Sequence, residues 1–337
     1  MIYPKFLSKS GTIGVPAPSA GARDELKKNR YTKATETFKE LGYDVIKSKN
    51  INKSHYGRSA LARIRGKEIT DMFQNKDIDF LLCASGGEFA VECLPYVDFE
   101  IIKKYPKWIA GFSDPTTVLF PLTTKYDIAT IYGHNFSNFG SKELHKSERD
   151  FLEVIKGNVI KQDNYDLYED EGFERKTGLE GYNLTKKVKW KTLDNKDATI
   201  DGRIIGGCLD IIAELSGTKY DGMNIFNEKY KKDGIIWYFD NCELSMEEFI
   251  RVMWRFKELD YFKYTKAIIL GRFGVEISNQ GYDIKTCLKD SVLSELKVPI
   301  IYDADISHKG PCLTIINGSI CHIETKKGKE NISFMLK

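Results

Sequence analysis

The sequence predicts an α/β protein with a parallel sheet in its N-terminal part and a second α/β domain in its C-terminal part. Residues 1–140 alternate short apolar runs with longer amphipathic ones, and such strand–helix alternation is typical of a parallel sheet covered by helices on both faces. The alternation resumes at residue 202, after a charged and tyrosine-rich stretch. A chain of 337 residues is long enough to form two domains.

The N-terminal elements are predicted from the spacing of their apolar residues. Residues 22–43 and 60–75 read as amphipathic helices. Shorter apolar runs read as five strands, which are TIGVPAP, DVIKSKN, IDFLLCAS, KWIAGFS and DIATIYG. The third strand runs into Gly86-Gly87 and the fourth into Asp114-Pro115. Because ligands bind at the carboxyl ends of parallel strands, we expect the functional site at these two turns.

The C-terminal strands are predicted in the same way. They are GIIWYFD, KAIILGRF, VPIIYDAD and CLTIINGSICHIET, the last read as a hairpin that turns at Asn317-Gly318. We therefore expect an N-terminal α/β domain over residues 1–145, a connecting region over 146–175 and a C-terminal domain over 176–337.

Composition limits the partners that are expected. A formal net charge of +3 is small for this length, which disfavours nucleic acid and anionic membranes as partners. No apolar run approaches the roughly 20 residues of a membrane span, and the first residues lack a signal-peptide core. The seven cysteines form no CxxC pair, which favours buried thiols in a reducing, cytoplasmic compartment. We expect no metal and no cofactor.

Ser113, in the stretch AGFSDPTTVLF, lies where a strand turns into a helix. A serine at such an elbow can present its hydroxyl above the sheet as a nucleophile, although the glycine pattern is not G-x-S-x-G. The alternative is that Ser113 or Asp114 caps the helix that begins at Pro115. A nucleophile also needs a base, an acid that orients the base, and an oxyanion site.

Five histidines are candidates for the base. His308 follows the strand VPIIYDAD and His134 ends a strand in IYGHNFSNFG, so these two have the best positions. His55 and His145 lie in polar, loop-like surroundings, and His322 lies within a predicted strand.

The candidate acids and oxyanion donors also follow strands. Asp240 ends the apolar strand GIIWYFD and Glu243 follows three residues later, although either could cap the helix SMEEFIRVMWRF. Gly86 and Gly87 form a corner that leads into the predicted helix EFAVECL, where free N–H groups could approach a ligand. Glu88, just past this corner, either faces an ammonium group of the substrate or is a first-turn glutamate favoured by the helix dipole.

Five segments, in order across the whole chain, resemble the LD-carboxypeptidase family of serine peptidases, which includes the microcin C self-immunity peptidases. SGGEFAVECLPYVDFEII is similar to the family's Gly-Gly segment, and PKWIAGFSDPT to its GYSD-x-T nucleophile segment. GRIIGGCLDIIAELSGTKYD resembles the G-x-x-x-GG-x-L…GT segment, and DADISHKGPCLTIINGS the D-x-G-H segment. WYFDNCELS stands where members have a strand that ends in glutamate.

The resemblance implies a Ser–His–Glu triad that hydrolyses an amide next to a free carboxylate. It implies Ser113 as the nucleophile, His308 as the base, and an oxyanion hole made of Gly86, Gly87 and the N–H of Asp114. It also implies a Rossmann- or flavodoxin-like N-terminal domain, a C-terminal α/β domain, an active site between them and a homodimer. The expected substrate is a murein-type peptide or a microcin-like peptide–nucleotide.

The sequence departs from the family pattern at two positions. Asp240 replaces the triad glutamate and is shorter by one C–C bond of ~1.5 Å, and Glu243 could substitute for it. Ser307 replaces the glycine that usually precedes the histidine, which matters if that position needs a positive φ. Two hypotheses follow: an active serine carboxypeptidase, or a catalytically weakened relative that binds such ligands without turnover.

Overall fold

The computed structural model describes residues 1–159, 161–326 and 329–337. Its strands are β1 Thr12–Val15, β2 Asp44–Lys47, β3 Phe80–Leu82, β4 Trp108–Gly111, β5 Thr130–Tyr132, β6 Gln162–Asp163, β7 Leu167–Tyr168, β8 Lys186–Lys187, β9 Lys191–Thr192, β10 Ala198–Cys208, β11 Ile235–Asp240, β12 Thr265–Gly271, β13 Ile300–Ala304, β14 Ile315–Asn317, β15 Ile320–Lys326 and β16 Lys329–Met335. Its α-helices are α1 Glu25–Glu40, α2 Ala62–Gln74, α3 Phe99–Lys104, α4 Thr116–Thr124, α5 Lys146–Ile155, α6 Leu209–Leu215, α7 Met223–Tyr230, α8 Met246–Glu258 and α9 Ile284–Asp290. Three 3₁₀ helices lie at Ala90–Tyr96, Phe136–Gly140 and Val292–Leu296.

The first sheet has the strand order β14-β5-β4-β3-β1-β2. Strands β1 to β5 pair in parallel, and β14 pairs antiparallel to β5. The order of the parallel strands is that of flavodoxin-like sheets, in which the ligand crevice opens where the strand order reverses, between β1 and β3. Helix α1 packs on this sheet through Tyr31, Ala34 and Phe38, which share one helical face and are buried.

The second sheet has the order β6-β16-β15-β10-β11-β12-β13-β9. Its central strands β10 to β13 are parallel, and their runs of isoleucine and aromatic residues are buried because the sheet is covered on both faces. Two sheets of this kind confirm the predicted α/β fold class. The carboxyl ends of β10 and β11 lie side by side, with Cys208 opposite Asp240.

Helix α4 joins the two sheets. All nine of its residues are buried, as expected for a helix that is surrounded by protein. It packs on β4 and β5 of the first sheet and on β10 and α6 of the second. The contact with β10 is close because Gly207 has no side chain: a Cβ there would lie 2.6 Å from Thr116 Cγ2. The helix that follows Ser113 is thus fixed from both sides.

Three local predictions are wrong or incomplete. The hairpin at Asn317-Gly318 is wrong, because β14 pairs with β5 in the first sheet while β15 pairs with β10 and β16 in the second. The stretch EFAVECL forms a 3₁₀ helix from Ala90 that contains Pro95, rather than an α-helix. The region predicted as connecting contains helix α5, whose apolar residues lie mostly in its second half.

The cysteines and the apolar content of the helices were also predicted from the sequence. All seven cysteines are free thiols, and six of them are buried, with Cys242 partly exposed, which confirms the prediction of buried thiols. Within the described residues, no helix combines the length and apolar content needed to cross a membrane.

Candidate active site

Three strand ends bring Ser113, His308 and Asp240 together. Ser113 follows β4, Asp240 is the last residue of β11, and His308 lies four residues beyond β13. The Nε2 atom of His308 is 2.8 Å from Ser113 Oγ, and its Nδ1 atom is 3.0 Å from Asp240 Oδ1. The three residues predicted as nucleophile, base and acid therefore form one continuous hydrogen-bonded chain.

Ser113 occupies a strained turn between β4 and α4. Its φ is +68°, a left-handed conformation that non-glycine residues adopt at a cost of about 1–3 kcal/mol. The turn is closed by a hydrogen bond from the Thr116 amide to the Ser113 carbonyl oxygen. Helix α4 has no side-chain cap, and the Ser113 hydroxyl contacts His308 instead. The helix-cap interpretation of this side chain is therefore wrong.

The Asp240 carboxylate is fully buried, and hydrogen bonds hold both of its oxygens. Oδ1 accepts from the backbone N–H of His308 at 3.2 Å and from its Nδ1 at 3.0 Å, and Oδ2 accepts from the Tyr132 hydroxyl at 2.7 Å. A carboxylate only accepts, so Nδ1 carries the proton and the lone pair of neutral Nε2 faces Ser113 Oγ. Although aspartate is one methylene shorter than glutamate, the Asp240 carboxylate thus reaches His308 within hydrogen-bond distance.

Burial and the Asp240 carboxylate act on the pKa of His308 in opposite directions. Burial opposes the imidazolium, but the adjacent Asp240 carboxylate and the Cys242 thiol hold the pKa of His308 well above its usual value. Burial, followed by the charge of Asp240, holds the pKa of Tyr132 well above its usual value, so this hydroxyl stays a hydrogen-bond donor. The sequence alone did not single out Tyr132 as a functional residue. Its position at the end of the strand before His134 is the signal that could have indicated it.

The turn that carries His308 accommodates a serine at the preceding position. Ser307 does not have a positive φ, so its backbone conformation does not require glycine. Its hydroxyl donates to the Arg272 carbonyl oxygen at 2.5 Å and accepts from the Lys309 amide at 3.0 Å. The buried ion pair between Arg272 and Asp305, 2.6 Å long, supports the same turn. The strain expected from the loss of glycine is therefore not present.

The turns after β3 and β4 carry the three backbone amides that were predicted as oxyanion donors. Within the described residues, the N–H groups of Gly86, Gly87 and Asp114 have no hydrogen-bond acceptor. Gly86 passes close to the nucleophile, since a Cβ on it would lie 3.1 Å from Ser113 Oγ. The Asp114 side chain is turned away from the helix and accepts from the Ser19 hydroxyl and from the Ala90 amide. Burial raises the pKa of this carboxyl to about 6.

Glu88 and Glu243 are exposed, and the charge of one acts on the other. The charge of Glu88, followed by burial and the charge of Asp210, raises the pKa of Glu243. Glu88 precedes Phe89, the N-cap of the 3₁₀ helix, so the interpretation as a first-turn glutamate is wrong. Glu243 does not contact His308 through its carboxylate. Ser245 rather than either acid caps α8, and it does so in a capping box with Glu248.

The other four histidines have structural positions. His134 is buried with an unpartnered Nε2, and His145 caps helix α5 by accepting from the Ser147 amide. His322 pairs with Asp201 at 2.9 Å, and His55 is exposed in a short loop. None of them approaches Ser113 within hydrogen-bond distance in the described part of the chain.

A cleft of about 610 Å³ begins at Gly86 and Gly87. It is lined by the turn after β1, the first turns of α1, the 3₁₀ helix Phe136–Gly140 and part of the segment 175–182. This position is the switch point between β1 and β3, and the volume is in the usual range for small-molecule sites. Gly86, which lines the cleft, is also the residue that passes close to Ser113 Oγ.

Comparisons with known proteins agree with this architecture. Residues 13–133 match the LD-carboxypeptidase N-terminal domain and residues 201–323 the C-terminal domain. The microcin C7 self-immunity protein MccF of Escherichia coli is 26% identical over 318 residues, covering 92% of this chain and 89% of that protein. A probable murein peptide carboxypeptidase of Bacillus subtilis is 26% identical over 219 residues, covering 65% and 60%.

Solved structures show the same fold over the full length. An MccF-like protein from Bacillus anthracis superposes with a TM-score of 0.84 at 24% identity, covering 100% of both chains. MccF in complex with aspartyl sulfamoyl adenosine superposes with a TM-score of 0.83 at 23% identity, covering 100% of this chain and 99% of that one. With both domains of the family matched in order, the chain belongs to the LD-carboxypeptidase family.

Proposed function

We propose that this protein is a serine carboxypeptidase that hydrolyses an amide next to a free carboxylate. The observation that carries the proposal is the chain of contacts from Ser113 Oγ through His308 to Asp240, with distances of 2.8 and 3.0 Å. Membership of a peptidase family supports the same reaction class.

In the proposed reaction, Ser113 Oγ attacks the amide carbonyl carbon while His308 Nε2 takes its proton. The tetrahedral intermediate collapses when the imidazolium returns that proton to the leaving nitrogen, and an acyl-enzyme ester remains on Ser113. Water, deprotonated by His308, then releases the acid and regenerates the hydroxyl. Asp240 holds the ring and stabilises the imidazolium in both halves of the reaction.

The negative charge of the intermediate needs donors that are already in place. The amides of Gly86, Gly87 and Asp114 are suited to this role because none of them has an acceptor in the described chain. Gly86 approaches Ser113 Oγ in space, while Gly87 and Asp114 adjoin Gly86 and Ser113 in the sequence. Each such donor contributes about 10²- to 10³-fold in kcat in comparable sites.

The acids near the nucleophile suit a substrate that carries an ammonium group. Glu88 and Glu243 repel each other, as the raised pKa of Glu243 indicates, and a cation placed between them would relieve that repulsion. We assign Glu88 and Glu243 to binding of such a group, for example an amino group on the acyl side of a diamino acid.

The substrate is assigned to two classes that share the scissile amide. One is a murein-type peptide, supported by the name of the Bacillus subtilis relative. The other is a microcin-like aminoacyl-nucleotide, supported by MccF and its complex with aspartyl sulfamoyl adenosine. A cytoplasmic location and a homodimer belong to the same proposal.

One pair of incubations tests the proposal. The protein is mixed with a murein tetrapeptide or with an aminoacyl-nucleotide, and the products are read by mass spectrometry, with Ser113→Ala as the control. We expect release of the terminal amino acid or of the nucleotide from one of them. Burst acylation by an activated ester reports the acyl-enzyme directly. No burst and no product, with ligand binding retained, would indicate a binding protein without turnover.

A further inference from the structure

Basic and acidic side chains both line the cleft beyond Gly86 and Gly87, and the acids are Asp24, Glu88, Glu143 and Glu148. Helix α1 contributes Lys27 and Arg30 to the cleft, and the 3₁₀ helix that follows β5 contributes Ser137 and Asn138. If the proposed function holds, the part of the substrate that extends from Ser113 into this cleft meets these four side chains.

Lys27 is a cation without a counter-ion. Its ammonium donates to Ser137 Oγ at 3.2 Å, and no carboxylate in the described chain lies within ion-pair distance of it. The nearest acid in sequence, Asp24, accepts from the Lys27 backbone amide and pairs with Arg23. Burial and the charges of Arg30 and Arg23 lower the pKa of Lys27 to about 8. A partly buried ammonium in this state gains from an anion that enters the cleft.

Arg30 differs from Lys27 because protein atoms already satisfy it. Its Nε donates to the Ser137 carbonyl oxygen at 2.7 Å, and its Nη1 donates to the carbonyl oxygens of Gly178 and Glu180 at 2.8 and 3.0 Å. The charge of the buried Glu148 also acts on Arg30. Arg30 therefore ties the segment at 178–180 to the rim of the cleft and adds positive potential near Lys27.

Asn138, which lines the same cleft, supplies a second donor. Its Oδ1 accepts from the Asn135 backbone amide at 3.0 Å, which leaves the NH₂ group as the free donor of this side chain. A lysine ammonium, a serine hydroxyl and an amide NH₂ form a donor set that suits a carboxylate or phosphate.

We propose that Lys27, with Ser137 and Asn138, binds the negatively charged group of the leaving fragment: the carboxylate of a released amino acid or the phosphate of a nucleotide. This assignment rests on the proposed function and names residues that select the substrate by charge. The acids Glu88 and Glu243 would then contact the acyl side, so that the two ends of the substrate meet opposite charges.

The first test measures binding without turnover. In the Ser113→Ala background, calorimetry compares a murein tetrapeptide, its C-terminal amide and adenosine monophosphate. We expect the peptide acid to bind about ten- to a hundredfold more tightly than its amide, as expected for one charge-assisted hydrogen bond. Lys27→Met should abolish this difference, and Lys27→Arg should restore most of it. If adenosine monophosphate also loses affinity in Lys27→Met, phosphate uses the same donors.

Lys28→Met is the matched control. Lys28 is the next residue on the same helix and pairs with Glu25 at 2.6 Å, so its loss should leave the preference for the acid unchanged. Equal affinity for the acid and the amide in the Ser113→Ala protein, or an unchanged preference in Lys27→Met, would overturn the proposal. If Lys27→Met does not fold, Ser137→Ala and Asn138→Leu should each weaken the preference for the acid, and an unchanged preference in both would overturn the proposal. Acylation of the wild-type protein by a neutral ester tests the proposed function separately, because that substrate has no anionic leaving group.

Discussion

Replacing Asp240 with asparagine is the most informative perturbation of the triad. The side chain keeps its size, and the Tyr132 hydroxyl can rotate to accept from the new NH₂ group in place of donating to Oδ2. The remaining amide oxygen would then still face His308 Nδ1, so the ring stays in place. What is lost is the negative charge that stabilises the imidazolium formed when Ser113 gives up its proton.

The expected magnitude follows from that loss. Asp240 is fully buried and contacts Nδ1 at 3.0 Å, so little solvent screens the interaction. The corresponding substitution in the best-studied serine triad lowers kcat by about 10⁴-fold, largely because the wrong tautomer forms. Because Tyr132 offers a way to keep the right tautomer, we expect a loss of roughly 10³- to 10⁴-fold here.

The assay measures kcat and kcat/KM against pH with the peptide that the wild type cleaves. Activity needs the neutral imidazole, so it is lost as pH falls through the pKa of His308. Since Asp240 raises that pKa, the acid limb of the wild type should lie above about pH 6.5, and Asp240→Asn should shift it to lower pH. Asp240→Glu restores the family's residue and should retain activity if the cavity admits the extra methylene.

Glu243→Gln is the matched control, because Glu243 lies three residues away and is exposed. Because Glu243 is assigned to binding of a substrate ammonium group, Glu243→Gln should raise KM for a substrate with such a group and leave kcat nearly unchanged. A tolerant Asp240→Asn together with an inactive Glu243→Gln would move the acid to Glu243. If neither substitution changes kcat in an active enzyme, the triad interpretation of this segment is wrong.

Three other predictions concern the same site. Ser113→Ala should lower kcat on the order of a million-fold with an unchanged Tm. The double variant with His308→Ala should lose little more activity, because the two residues act as a unit. Additive losses of kcat in steady-state kinetics would contradict this. Glu88→Gln should raise KM for a peptide with an amino group on its acyl side more than for the acetylated peptide, and equal increases would exclude the ammonium contact. Gly86→Ala should lower kcat by about 10²-fold while the protein stays folded by circular dichroism, because the added Cβ would lie 3.0 Å from Ser113 Cβ and displace the nucleophile or the amide. Full activity would show that the close approach of Gly86 to Ser113 is not needed for catalysis.

The sequence by itself determined the strand–helix alternation, because helical and strand periods are properties of neighbouring residues. Helices predicted over 22–43 and 60–75 correspond to α1 and α2, each shortened at its ends where capping and fraying decide the boundary. The apolar runs also placed Asp240 at the end of a strand and Ser113 and His308 just after strands, where the structure has them.

Tertiary structure alone decided how distant segments meet. Ser113 and His308 are 195 residues apart, and Asp240 and His308 are 68 apart, so no local period encodes their contacts. The choice between Asp240 and Glu243 depends on burial at a strand end, and the role of Tyr132 depends on β5 lying beside β4. The turn at Asn317-Gly318 shows the same limit: turn chemistry predicts a reversal of the chain, but the pairing partners of each strand decide which sheet it joins. Side-chain contacts across two sheets are a product of packing, and packing is a property of the whole chain.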